Sequence, residues 1–168
     1  MQKTLTAEQL SLFASLFRGR TDSYAKRREW DGGSGYFPAY DVNWNGYDEH
    51  KVKGGTFDEY PHKKKIPYNN IAISKHLSGL EFCGIYPLLE DNTSHFIAVD
   101  FDKEGWRESI ITLHGKCSEY GIQSCIERSR SGNGGHLWIF FVNAFPAEQS
   151  RKILFELLRQ VGINQYLF

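Results

Sequence analysis

His95-Phe96-Ile97-Ala98-Val99-Asp100-Phe101-Asp102 is the stretch around which the rest of the chain is organised. β-Branched and aromatic residues in a short run, closed by the polar break Lys103-Glu104-Gly105, predict a strand. A side-chain period of two puts Phe96, Ala98, Asp100 and Asp102 on one face and Ile97, Val99 and Phe101 on the other. The second face is wholly apolar and must pack on a core. The first ends in two carboxylates, their Cα atoms roughly 6.5–7 Å apart, at the strand's C-terminal end. Like charges so close repel unless a cation lies between them. Mg²⁺ suits such a pair, because it takes one or two carboxylates together with phosphate oxygens. The competing reading has Asp102 cap the helix that follows and leaves Asp100 solvated.

Downstream of the Asp strand, Trp106, Ile110, Leu113, Cys117 and Tyr120 step by four, three, four and three, one apolar stripe of a helix ended by Gly121. Residues 122–129 predict a strand, and Ser129-Arg130-Ser131-Gly132-Asn133-Gly134-Gly135 a turn. The strand His136-Leu137-Trp138-Ile139-Phe140-Phe141-Val142 then completes a hairpin. Pro146 opens a last helix, with Ile153, Leu154, Leu157, Leu158 and Val161 as its buried stripe and Gly162 as its stop. The order β-α-β-β-α makes this an α+β core, the split βαβ arrangement of ferredoxin-like and RNA-recognition (RRM-like) folds, short of a final strand. Such a sheet places the Asp strand centrally, beside the strand carrying His136. Residues 163–168 leave room for a stub of a last strand. Just upstream, residues 82–89 predict a strand ended by the turn Glu90-Asp91-Asn92 and paired with the Asp strand.

Nearer the N-terminus, Thr6-Ala7-Glu8-Gln9 is a capping-box pattern, and Leu10, Phe13, Ala14 and Phe17 follow at helical spacing up to Gly19. Arg18, Arg20, Lys26, Arg27 and Arg28 come next, interleaved with Tyr24 and Trp30. Basic and aromatic side chains together suit a nucleic-acid strand, phosphates meeting the cations and bases stacking on rings. The same run also fits a solvated helix face with both rings turned inward. Residues 31–70 are rich in Gly, Asn, Asp, Tyr and Lys with weak periodicity, and residues 71–77 predict a short helix. Two regions result: an N-terminal α/β module over 1–70, with a helix and a basic, irregular segment, and a core over 71–168.

A chain of 168 residues holds one domain with a small appended module. A net charge of zero gives no global field to attract nucleic acid, so such binding must come from local patches. Cys83, Cys117 and Cys125 lack Cys-x-x-Cys spacing and are expected as buried free thiols in a reducing compartment. His50 and His62 have no cysteine partners, so no zinc is expected. No signal peptide or apolar run of membrane length occurs, and a cytoplasmic location without membrane partners is expected.

The glycine turn gives the Asp pair its meaning. Arg130, Ser131, His136 and the N–H groups of Gly132, Asn133, Gly134 and Gly135 form a compact set of anion ligands. Two carboxylates facing a phosphate cradle point to a metal-bound nucleoside triphosphate and in-line phosphoryl transfer.

These residues resemble the archaeo-eukaryotic primase superfamily, most closely the primase domain of TOTE conflict systems. Asp100-Phe101-Asp102 matches the family's first motif, Asp-x-Asp at a strand end. Ser131-Gly132-Asn133-Gly134-Gly135-His136, followed by Leu137-Trp138, matches its second. An N-terminal signature resembles Phe17-Arg18-Gly19-Arg20-Thr21-Asp22-Ser23-Tyr24-Ala25, and further likeness lies in His76-Leu77-Ser78-Gly79 and Gly84-Ile85-Tyr86-Pro87-Leu88-Leu89. The resemblance implies a two-metal nucleotidyltransferase that makes or extends primers on a DNA or RNA template. Asp100 and Asp102 would hold Mg²⁺ or Mn²⁺, His136 would join them in catalysis, and Ser131, His136 and Arg130 would grip the triphosphate. Further domains of the parent protein, or a helicase, are the implied partners. The family's third motif, a metal-binding Asp after the last helix, is expected beyond the chain's end, and Asp41, Asp48 and Asp91 are the substitutes within it. Two other readings compete. A HAD-type phosphatase shares the Asp-x-Asp, but it calls for Thr or Val where Glu104 stands. A non-catalytic nucleotide- or nucleic-acid-binding module would keep the cradle without complete metal ligation.

Overall fold

The computed structural model describes residues 5–163. The chain divides into two compact units near Tyr86 and Pro87, and Leu16–Gly19 belongs with the second. Residues 71–86, expected with the core, therefore pack with the N-terminal unit.

The second unit holds β6 (Thr93–Phe101), α4 (Trp106–Glu119), β7 (Cys125–Arg128), β8 (Gly135–Pro146) and α5 (Ala147–Gln160). The sheet order is β6-β8-β7 and both pairings are antiparallel, so β6 and β7 run parallel with β8 between them. That is the split βαβ core of an α+β fold, as the sequence predicts. Val99 and Phe101 of β6 and Leu137 and Ile139 of β8 face Ile110, Leu113 and Cys117 of α4 and Leu154, Leu157 and Leu158 of α5. Phe101, Leu113 and Leu137 are wholly buried, so the apolar face of the Asp strand forms the centre of the core.

Several sequence-based expectations give way to the structure. The β6 strand lies beside β8 but at the edge of the three described strands, not at the centre. The strand expected over 82–89 shrinks to β5 (Cys83–Gly84) and pairs with β1 (Ala25–Trp30) instead of β6. Gly84 fits there because its bare Cα sits under the Tyr36 ring, where a Cβ would lie 3.1 Å from the side chain. Pro87, without an N–H, cannot extend the ladder. Ile153 and Tyr120, assigned to buried stripes, are exposed. Among the cysteines only Cys117 is buried, and Cys125 is exposed. The strand stub expected over 163–168 falls, past Ile163, outside the described residues.

The first unit carries α1 (Ala7–Leu16, apart from its last residue), the sheet β2-β1-β5 with β2 at Gly33–Pro38, and the ribbon of β3 (Tyr40–Val42) with β4 (Lys63–Lys65). It also carries α2 (Trp44–Val52) and α3 (Asn70–Leu77). Asn43 and Asn69 cap these two helices, their side chains accepting from Gly46 N and from Ile71 and Ala72 N. The segment that reads as irregular thus holds four short elements, held by packed rings: Tyr47 lies edge-on to both Phe57 and Tyr60. The basic run is a strand. Its alternation separates Arg27 and Glu29 from Lys26, Arg28 and Trp30.

Candidate active site

Register sets the site. Across the second unit's sheet Asp100 faces His136, and His136 faces Glu127, so the three stand in one row on the face opposite the helices. His136 Nε2 lies 3.4 Å from Asp100 Oδ1, and its Nδ1 lies 3.2 Å from Glu127 Oε2. Trp138 Nε1, one row down, donates to the same Glu127 oxygen at 2.9 Å. Beneath this polar row the face is aromatic. Phe17 stands edge-on to Trp138 at 5.1 Å and to Phe96 at 5.9 Å, and Trp138 stacks on Phe140. Trp138 is half-buried as a result, and His136 keeps its ring at the open end of the row.

Asp102 is the first residue past β6 and is exposed. The helix-capping reading does not survive: α4 has Gly105 at its N-cap, in the left-handed region, with no side-chain capping bond.

The turn between β7 and β8 lies hard against the end of the Asp strand. A Cβ on Gly134 would stand 2.5 Å from the Phe101 carbonyl oxygen and 3.3 Å from Asp102 Cα. A Cβ on Gly135 would meet the Trp106 ring at 2.7 Å and the Glu127 carbonyl oxygen at 2.9 Å. Only glycine lets the two motifs approach this closely. The turn is also internally bonded. Gly132 N donates to Ser129 O, Asn133 N to Ser131 Oγ, and the Arg128 guanidinium to Gly132 O at 3.2 Å. The amides of Gly132 and Asn133, expected to face an anion, are thus engaged in shaping the loop. Arg130, Ser131 and Asn133 have exposed side chains beside it.

Among the described residues no three His, Cys, Asp or Glu side chains form a group able to hold a metal ion. The donor set at the end of β6 is two exposed carboxylates, which suits a hard divalent cation whose other positions go to phosphate oxygens and water. Asp91 is no substitute third ligand. It lies at the opposite end of β6, its Oδ1 accepting from Thr93 N and Oγ1.

The N-terminal cations diverge in what they do. Arg18 donates to the carbonyls of Phe141 and Val142 and is held to the protein. Arg20 forms a bidentate pair with Asp22, and Arg27 bonds Glu29 and Ser34. Tyr24 is 3% exposed in the first unit's core, where burial pushes its hydroxyl up to about 12, so it cannot stack on a base. Arg28 is exposed, 6.0 Å over the Trp44 ring.

Residues 8–167 match the family model described as the archaeo-eukaryotic primase domain of TOTE conflict systems. The chain belongs to this family. No curated protein matches it. Its primase family is one of nucleotidyltransferase-like domains that generally use divalent metals, and nucleotide and nucleic-acid substrates are implied. The residue that sequence reading misses in this primase-family domain is Glu127. Counting back from His136 across the turn reaches it, but only once the hairpin's register is known. No described helix is long and apolar enough to cross a membrane.

Proposed function

We propose that the second unit is the nucleotidyl-transfer centre of a primase-polymerase. Asp100 and Asp102 hold Mg²⁺ or Mn²⁺. His136 receives the triphosphate with the side chains of Arg130, Ser131 and Asn133 and with the backbone of Gly134 and Gly135, while Gly132 shapes the loop that presents them. The bound ions supply Lewis acidity at the phosphates and lower the pKa of the attacking hydroxyl. The chain's own part is orientation. The β6 and β8 strands hold the carboxylates and the imidazole on one rigid face, and the aromatic floor of Phe17, Phe96, Trp138 and Phe140 keeps water from beneath it. A primer hydroxyl then displaces pyrophosphate from the α-phosphorus. The observation that carries this reading is the packing of Gly134 against the Phe101–Asp102 peptide, which brings the glycine turn and the Asp pair together.

The template lies along the first unit. With Tyr24 buried, the basic-aromatic surface is Arg28, Trp30, Phe37 and Trp44, all exposed. The template is DNA or RNA, the partners are the parent protein's other domains or a helicase, and the free thiols fit the cytoplasm. A second reading, a module that binds metal-nucleotide without polymerising, is favoured by the lack of a third metal carboxylate among the described residues. Calorimetric titration of a nucleoside triphosphate with Mn²⁺, beside a primer-synthesis assay, tests both. No metal-dependent binding sinks both readings, and binding without synthesis selects the second.

A further inference from the structure

We infer that Glu127 is a positioning residue: it grips the Nδ1 edge of His136 so that the Nε2 edge is presented beside Asp100, where the triphosphate arrives. The inference rests on the nucleotide-binding reading of that site.

Three observations carry it. An ionised carboxylate only accepts hydrogen bonds, so in the 3.2 Å contact Nδ1 is the donor and the ring's orientation is set. Glu127 is itself held, because Trp138 Nε1 donates to the same oxygen at 2.9 Å. The oxygen that meets His136 thus already takes two N–H donors, which suits a bracket and not a metal ligand. Finally, all three residues stand on adjacent strands in fixed register, and the Glu127 carbonyl oxygen lies against Gly135, so β7 cannot slide without opening the turn. A histidine that contacts a ligand through one nitrogen gains geometry from whatever fixes the other. Here that anchor is Glu127, and with both ring nitrogens protonated the Nε2–H of His136, at 3.4 Å from Asp100 too far for a strong bond there, is left to donate to an incoming phosphate.

The test measures Mn²⁺-dependent binding of a non-hydrolysable nucleoside triphosphate by calorimetry in the intact chain and in Glu127→Ala, Glu127→Gln, His136→Ala and the Glu127→Ala/His136→Ala double variant. We expect Glu127→Ala to weaken binding about tenfold. Glu127→Gln, whose amide oxygen still accepts from both donors, should recover binding to within about twofold. The double variant should bind no more weakly than His136→Ala alone, since the two act as one unit. Unchanged binding in Glu127→Ala, additive losses in the double variant, or failure of Gln to rescue overturns the inference and leaves the parent reading standing. No binding by the intact chain overturns the parent reading, and this one with it.

Discussion

Gly134 and Phe101 are in such close approach that the carbonyl oxygen of one strand's end fills the space where the other residue's side chain would begin. A Cβ on Gly134 would stand 2.5 Å from this backbone atom, which cannot swing aside as a flexible side chain would. Gly134→Ala should therefore push the turn off the Asp strand, at a cost of about 1–3 kcal/mol typical of overpacking. Metal-nucleotide affinity should fall by more than tenfold, because the cradle leaves the carboxylates. Urea denaturation alongside calorimetric titration checks both. Unchanged affinity in a destabilised variant would separate the turn's packing from its ligand.

The site's first half is legible in the sequence because its elements are long. The nine residues of β6 and the fourteen each of α4 and α5 complete enough periods for an apolar face to declare itself. That pattern places Asp100, His136 and the glycine turn. The three-residue strands β3 and β4 and the two-residue β5 are too short to repeat a two-residue alternation more than once, so 31–70 read as irregular and the unit boundary falls later than the sequence suggests. The run from Arg18 to Trp30 is not the helix its composition allows, since the fold lays it out as a loop and the strand β1, turning Tyr24 inward and leaving Trp30 out. Glu127 and the engaged amides of the turn depend on cross-strand register and loop hydrogen bonds, neither of which a single strand's pattern encodes.

Asp100 and Asp102 are exposed, so removing them takes nothing from the core. The Asp100→Ala/Asp102→Ala variant should unfold within about 0.5 kcal/mol of the parent, as surface substitutions do. Its Mn²⁺-dependent nucleotide binding should nonetheless be abolished. Equal affinity with and without the carboxylates rules out the metal role.

His95 gives a pH dependence of definite sign. Burial, and then the Arg18 charge, hold its imidazole below the ordinary value of 6.5, and its Nδ1 is buried without a hydrogen-bond partner. The folded chain thus binds this proton less tightly than the unfolded chain. Its contribution to stability falls as pH drops below about 6.5, until the folded form also protonates, and is flat above that. The urea midpoint of the parent relative to His95→Gln should decline between pH 7.5 and 5. A parallel pair of curves would remove His95 from the account.

On the proposed template path, Trp30 is the exposed ring to test. Its indole lies over Gly33 and Gly35, where a Cβ would come within 3.0 and 3.2 Å of the ring, and Phe37 stands edge-on at 6.0 Å. Two glycines give the ring a flat floor, and with 54% of the residue exposed it remains open to a base. Stacking on such a ring is worth about 1–3 kcal/mol per base. Trp30→Ala should accordingly weaken binding of a fluorescent single-stranded oligonucleotide about five- to a hundredfold, with little change in melting temperature. Arg28→Ala should act differently, lowering the slope of log affinity against log salt by about 0.7 for one lost phosphate contact on a single strand. Anisotropy titrations at several salt concentrations distinguish the two effects. If neither substitution changes affinity or slope, the template runs elsewhere and this face of β1 and β2 has no part in it.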